Sequence, residues 1–483
     1  MTSVFSQKPP TVAIVGGGFS GAAVAYHLAV AGVNARIVVF EPRALLGAGL
    51  AYGGADPTHR INVPATRMSL LPDDETHFAR WLETSGERTA DPGAAIGADA
   101  YPTRPAFGRY VDSALRPWVE KKRIVHVADS VVSASRTVRG WTLRTVRGEA
   151  LEADLVVLAT THPGPGVPAQ LVAFRDDPRL VADGLADDAL NAVESEDRVL
   201  IVGAGLTAAD VVCSLDVRGH KGAVSMISRR GLRARSHPQV PFPPEGDFVS
   251  CPARRASTLV AEIRRAVLKA VTEGRTWHPV LDAVRAQGGA IWGALDPEAQ
   301  GRVVRHLRPF WDAHRFRAAP QVDAVLDRKI ADGSLEVKKA RLGAVDRIPG
   351  GFVVTLVEHR RVSVSPQTFD RIVVATGPAH RDIVRAQTYL TRLAGTGAVT
   401  LDDTGLGLKT SPSGRAVGAG GEADPTLFIA GPLARGTFGE LMGLPQVSIY
   451  ARFIADEVAR TLSGAPADLS SSFPQPSQFE TVS

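Results

Sequence analysis

A chain of 483 residues, 44% of them hydrophobic, can build two or three domains with their own cores, and its formal charge of +5 comes from scattered basic residues without the aromatic interleaving of a nucleic-acid binder. The two cysteines, Cys213 and Cys251, stand far apart and outside any C-x-x-C arrangement, so neither a disulfide framework, a metal cluster nor a paired redox dithiol is indicated. No apolar stretch is long enough to span a bilayer, and Met1 to Pro10 lacks the basic and apolar regions of a signal peptide, which leads us to expect a cytoplasmic protein without a membrane partner.

Val12 to Val15 reads as a short apolar strand running into Gly16-Gly17-Gly18-Phe19-Ser20-Gly21, a G-x-G-x-x-G before a helix-compatible run. The first glycine permits a tight turn and the second lets backbone approach a pyrophosphate. The third position must be small so that helix and strand pack closely, and the helix N-terminus then faces phosphate. Ala22 to Ala31 has helical spacing, and the β-branched strand Ala35 to Phe40 ends in Glu41, where an acidic residue accepts hydrogen bonds from an adenosine ribose. An amphipathic helix is expected over Asp73 to Ser85, a loop over Glu87 to Pro105, a helix over Phe107 to Lys121 and a small meander over Ile124 to Arg147. Asp154 to Ala159 is a buried strand ending in Thr160-Thr161-His162-Pro163-Gly164. That turn should lie near the bound cofactor, so His162 is a candidate for chemistry; the alternative is an ordinary turn residue before proline.

A second unit starts near Asp197, where Val199 to Val202 leads into Gly203-Ala204-Gly205-Leu206-Thr207-Ala208, the G-x-G-x-x-A variant. Two such motifs with correct flanks point to a flavin site, FAD, in the first unit and a nicotinamide site in the second. Cys213, in the helix after the second loop, reads as a small buried residue. The strand Val224 to Ile227 is followed by Ser228-Arg229-Arg230-Gly231, hydroxyl and guanidinium groups where NAD binding would call for a carboxylate. Guanidinium groups chelate phosphate, which favours NADPH over NADH, the alternative being a solvated basic turn. Ala256 to Ala319 is helical in pattern, carries Trp277, Trp292 and Trp311, and interrupts the unit as a candidate cap. Within it, His314, Arg315 and Arg317 either bind an acidic substrate group and accept a proton, or bridge the insert to the core.

Strands return over Leu335 to Val364, and Asp370 to Val374 ends in Ala375-Thr376-Gly377, a turn that often closes a nucleotide-binding segment. Leu427 to Pro432 is a strand and turn, and Gly436 to Glu457 is largely helix. Phe438 and Leu441 on that helix would approach the pyrimidine edge of the flavin, or else pack under the sheet. The expected fold is α/β, two Rossmann-like dinucleotide-binding domains with a helical insert. Residues 1–195 and 378–465 would form the FAD domain, 196–377 the NADPH domain with its insert at about 252–320, and 466–483 a disordered tail.

Three further stretches are Gly47-Ala48-Gly49-Leu50-Ala51-Tyr52, Asn62-Val63-Pro64-Ala65-Thr66-Arg67-Met68-Ser69 and Gly431-Pro432-Leu433-Ala434-Arg435-Gly436-Thr437-Phe438. With the first glycine loop and Trp311 to Arg317, they make the chain resemble the bacterial FAD/NAD(P)-binding oxidoreductase family over nearly its whole length to about residue 460. The resemblance adds Asn62, Met68, Ser69, Gly431, Pro432, Thr437 and Phe438 to the expected cofactor-binding residues, beside Gly377 of the Ala-Thr-Gly turn. Two departures stand out: Thr161 replaces a usual glycine, and Gly431-Pro432 replaces a Gly-Asp whose carboxylate binds the ribityl chain in glutathione-reductase-like flavoproteins.

More distantly the layout is similar to NADPH-dependent flavin monooxygenases, including amine N-hydroxylases. The leading expectation is therefore a monooxygenase that hydroxylates a small polar amine or amino acid through a flavin C4a-hydroperoxide kept from water under the cap. Its partners would be molecular oxygen and a small-molecule substrate, for which an anionic group is an option; self-association into a homo-oligomer is left open. The rivals are an NAD(P)H dehydrogenase passing electrons to a quinone or protein, and a flavin-binding redox sensor.

Overall fold

The computed structural model describes residues 8–54, 56–160, 163–358 and 366–465. Its first sheet runs in the order Arg415–Val417, Ala423–Ile429, Leu155–Leu158, Thr11–Val15, Arg36–Phe40, Ile124–Val127. Every neighbouring pair is parallel except the first. Thr11–Val15 and Leu155–Leu158 are buried along their whole length, as expected for parallel strands covered on both faces and written as continuous apolar runs. The helix Phe19–Val30 covers one face and packs against the C-terminal helix Gln446–Leu462. The chain therefore returns after the second unit to complete the first.

The antiparallel meander consists of Val131–Thr137, Gly140–Thr145 and Ala150–Ala153. Ile124–Val127, expected in it, instead forms the parallel edge of the main sheet, with Ile37 opposite Ile124 and Phe40 opposite Val127. A four-residue strand carries too little periodicity to say which sheet it joins.

The second sheet has the order Leu180–Val181, Arg371–Val374, Val199–Val202, Val224–Ser228, Leu335–Ile348, Gly351–Glu358, Pro366–Phe369. The first five strands are parallel and the last three form an antiparallel extension. Because Leu180–Val181 pairs with Arg371–Val374, this unit begins before Asp197; a two-residue strand leaves no pattern to find. The helical insert lies between Val224–Ser228 and Leu335–Ile348 and has a core of its own that includes Leu259, Val280, Ile291, Trp292 and Leu295. Its last segment, Pro320–Ala331, packs on Leu206–Val217 and serves as the crossover helix of the Rossmann unit.

Three helix boundaries differ from expectation. His77–Thr84 is shorter than Asp73 to Ser85, the acidic residues forming a turn in which Asp74 binds Arg80. The stretch after Glu87 holds short helical turns and a two-strand pairing, and the next helix starts at Arg104. The expected helix from Gly436 is broken into Arg435–Phe438 and Gln446–Leu462. Gly439 at the break has φ +76°, and a Cβ there would lie 2.9 Å from Cβ of Trp292. The insert thus presses against the segment that interrupts the helix.

Candidate functional site

The first glycine loop joins Thr11–Val15 to the helix Phe19–Val30 as expected. Gly16 adopts φ +101°, and a Cβ there would stand 2.7 Å from the Ala159 carbonyl oxygen, so the turn closes only on glycine. At Gly18 the nearest atom to a Cβ is Gly49 Cα at 3.5 Å, which leaves its cleft side open. Gly16, Gly18, Phe19 and Ser20 line a cleft of about 500 Å³, within the roughly 300–1,000 Å³ usual for small-molecule sites. Gly21 packs its helix on the strand, since a Cβ would meet the Gly16 carbonyl oxygen at 1.9 Å.

Glu41 also lines the cleft. Its carboxylate is 3% exposed and accepts from the Gly17 amide at 3.2 Å and from the Arg43 guanidinium at 2.9 Å. Further along lie Tyr52, Thr160, Gln387, Tyr389, Pro432, Met442, Gly443, Leu444 and Val447. The Thr160 hydroxyl and the Tyr389 phenol are 2.6 Å apart, and burial pushes the phenol's pKa up. Sequence reasoning missed Gln387, Tyr389 and the Met442–Val447 wall, which carry no motif.

The other first-unit expectations fall away from this cleft. Gly431 has φ +65° and presses on Ser20, where a Cβ would come within 2.2 Å of Oγ. Thr437 donates to the Thr410 carbonyl at 3.2 Å, and Phe438 packs on Tyr450 with ring centroids 4.8 Å apart. Neither lines the cleft, and Leu441 lies in the break between helices. Met68 is buried, and Ser69 Oγ accepts from the Leu71 amide at 2.9 Å. The Asn62 carbonyl faces His237 Nε2 at 3.0 Å, so this segment forms the seam with the loop leading into the insert. His162 and Thr161 lie outside the described residues.

Burial pulls both His27 and His237 down to about 4. Their unfolded pKa is near 6.5, so between about pH 6.5 and 4 the unfolded chain binds more protons. Stability is full above that window and falls as pH drops through it, by an order of 3 kcal/mol per histidine. Thermal unfolding from pH 7 to 4 should show this loss and a flatter slope in His27→Gln/His237→Gln; equal slopes would refute the assignment.

In the second unit, Gly203 ends its strand at φ +134° against the Ala375 carbonyl, and Gly205 is exposed with open space around it. Leu206 and Thr207 begin the helix Leu206–Val217, whose N-terminus opens toward that space. Ser228 is the last strand residue, its Oγ buried without a partner. Arg229 and Arg230 are exposed, with Arg230 lying 5.2 Å over the Phe310 ring of the insert. Gly377 has φ +75° at the end of the neighbouring strand, and its carbonyl accepts from Gly166.

The three polar residues of the insert are engaged with protein. His314 Nδ1 is 2.7 Å from the Phe310 carbonyl oxygen, and its ring meets Trp277 edge-on. Arg317 makes a two-pronged contact with Asp282, at 2.7 and 3.2 Å, and lies over the Trp277 ring. Arg315 is ion-paired to Glu440. Neither arginine lines the cleft; both are engaged by protein carboxylates, Arg317 within the insert and Arg315 with the segment that carries Glu440. Arg317→Ala should lower the melting temperature by removing about 1–3 kcal/mol while leaving cofactor content intact. Unchanged melting would mean the pair braces nothing.

The wall Met442–Leu444 is gripped from behind by the insert. Arg285 donates to the Leu444 carbonyl and to Gln446 Oε1, the latter at 3.0 Å. Trp311 Nε1 donates to Glu440 at 3.3 Å and Trp292 Nε1 to the Gly436 carbonyl at 2.8 Å. Burial opposes ionisation of Glu440, yet Arg315, Arg285 and Arg435 hold its carboxyl below the usual value. The insert is thereby tied to the segment that closes the cleft.

These features define a protein of two Rossmann-like units, with one glycine loop opening on a lined cleft and the other on solvent. Residues 13–163 match a family model described as FAD-NAD(P)-binding. No curated protein sequence matches the chain. Among solved structures, ornithine hydroxylase from Pseudomonas aeruginosa is similar with a TM-score of 0.63 at 15% identity, over 94% of this chain and 100% of that one. Kutzneria sp. 744 ornithine N-hydroxylase, solved with reduced FAD, NADP+ and L-ornithine, gives 0.61 at 16% identity, over 95% and 99%. L-lysine 6-monooxygenase from Pseudomonas syringae gives 0.60 at 18% identity, again over 95% and 99%. The chain therefore has the fold of the two-domain dinucleotide-binding flavoenzymes. Among the described residues no helix is long and apolar enough to cross a membrane.

Proposed function

We propose that the chain is an NADPH-dependent flavin monooxygenase acting on a small polar amine or amino acid. The observation that carries this reading is the cleft itself: it begins at the first glycine loop and Glu41 and ends at Met442–Val447, the segment tied to the helical insert. Its residues suit FAD. The amides of the Gly16–Ser20 loop and the helix behind it would take the pyrophosphate, and Glu41 the adenosine ribose. With Pro432 in place of a carboxylate, Gln387, Thr160 and Tyr389 are the polar side chains on the wall that could hold the ribityl hydroxyls. FAD, when bound, supplies hydride acceptance from NADPH and the activation of oxygen.

The remaining work falls to the protein. Gly203 to Thr207 would seat the NADPH pyrophosphate, and Ser228, Arg229 and Arg230 its 2′-phosphate. The insert, anchored through Trp292, Trp311 and Arg285, backs the Met442–Leu444 wall of the cleft, and keeping water from that wall is what oxygen transfer would require. The fold is shared with proteins named for hydroxylating ornithine and lysine, which makes a small amine bearing a flexible chain the substrate class to try first.

The test is NADPH oxidation in air with ornithine, lysine and short diamines, reading product mass and peroxide together. A substrate-dependent product heavier by one oxygen atom is the expected result. Rapid NADPH oxidation coupled only to quinone reduction would favour a dehydrogenase and reject the proposal.

A further inference from the structure

We propose that Arg285, Arg315 and Arg435 form an electrostatic backing for the cleft, favouring the anionic form of the reduced isoalloxazine. This rests on the reading that FAD occupies the cleft. The three guanidinium groups come from the insert and from the segment after the strand Ala423–Ile429, and they gather around one carboxylate, Glu440. Arg435 is 5% exposed and makes no side-chain hydrogen bond among the described residues. Its Nε and Nη1, together with Arg315 Nη2 and Arg285 Nε, are sealed from solvent without a partner.

Buried cations outnumber the carboxylates that could neutralise them. Asp312 and Asp282 are the other acids that act on these arginines, but Asp312 already binds Arg308 and burial raises its pKa, and Asp282 is held by Arg317. Burial lowers Arg285 to about 9 and Arg435 to about 10, so both remain charged at neutral pH. The cleft lies one backbone thickness from Arg315 and Arg285. A Cβ on Gly443, which lines the cleft, would lie 3.4 Å from Arg315 Nη2. Arg285 binds the carbonyl of Leu444, which lines it too. The backbone amides of Met442, Gly443 and Leu444 donate to no acceptor among the described residues.

In so dry a wall the field of the cluster is weakly screened. A hydride from NADPH delivers two electrons and one proton, which converts the oxidised flavin to its reduced anion and leaves NADP+. A further proton would give the neutral reduced form, and a positive field opposes that step. The cluster should therefore raise the flavin's two-electron potential and hold proton uptake to one per two electrons.

The experiment measures the midpoint potential of the FAD-loaded protein by dye equilibration from pH 6 to 8. For the wild type, a one-proton slope down to pH 6 is expected, and a two-proton slope there overturns the proposal without any variant. Arg435→Met should shift the reduction equilibrium at least tenfold toward oxidised flavin, about 30 mV for a two-electron couple. Arg435→Lys should recover it to within threefold, and Glu440→Gln should shift it the opposite way. If the variants bind FAD and their potentials match the wild type, the backing role is wrong. If the wild type binds no FAD, it is the cofactor assignment that fails.

Discussion

Gly18→Val should leave a folded protein that has lost its FAD. The free chain has room for a larger residue: Gly18 has an ordinary φ of −64°, and a Cβ would stand 3.5 Å from its nearest neighbour. The two γ-carbons would instead project into the cleft at the loop where the pyrophosphate must lie against backbone. Overpacking of about 3 kcal/mol corresponds to a hundredfold loss of affinity. Flavin absorbance after purification, and titration of the apoprotein with FAD, read the effect directly. Thermal unfolding of wild-type and variant apoproteins separates it from misfolding. Gly16 provides the contrast, because any side chain there collides with the Ala159 carbonyl, and Gly16→Val should damage the turn itself. A Gly18→Val protein carrying a full complement of FAD would remove the basis for placing the cofactor on this loop.

The contrast between these glycines also explains what was legible in the sequence. A G-x-G-x-x-G turn is a local constraint, and the positive φ at Gly16 and the contact of Gly21 with the Gly16 carbonyl involve residues within one short stretch. Such features survive in sequence as motifs, as do the continuous apolar runs of Thr11–Val15 and Val199–Val202 and the helical texture of the insert. What lay hidden depends on contacts between distant positions. Glu440 is unremarkable until Arg315 and Arg285 are brought around it from the insert. The helix expected from Gly436 has acceptable propensity but breaks where Trp292 occupies the space a Cβ on residue 439 would need. The same long-range packing changed the reading of Arg317. As a sequence feature it is a cation beside a histidine in a cap, whereas in the fold Asp282 and Trp277 already occupy it.

Coenzyme choice is where local sequence and tertiary structure converge, and there Arg229→Ala/Arg230→Ala should raise the Michaelis constant for NADPH by one to two orders of magnitude. Both side chains are exposed at the end of the strand Val224–Ser228, and neither has an ion-pair partner among the described residues. Arg230 is steadied by the Phe310 ring at 5.2 Å, and the neighbouring Ser228 Oγ is buried with no partner of its own. A guanidinium left free in this way can give a phosphate a forked pair of hydrogen bonds without first breaking a competing contact. Charge-assisted bonds of that kind contribute about 1.5–3 kcal/mol, which is the origin of the ten- to hundredfold expectation. NADH has no 2′-phosphate, so its Michaelis constant should stay within about twofold. Steady-state kinetics with both coenzymes, in wild type and double variant, decide the matter. An equal loss for NADPH and NADH would show that the two arginines only shape the turn, and the 2′-phosphate contact would then have to be sought elsewhere in the second unit.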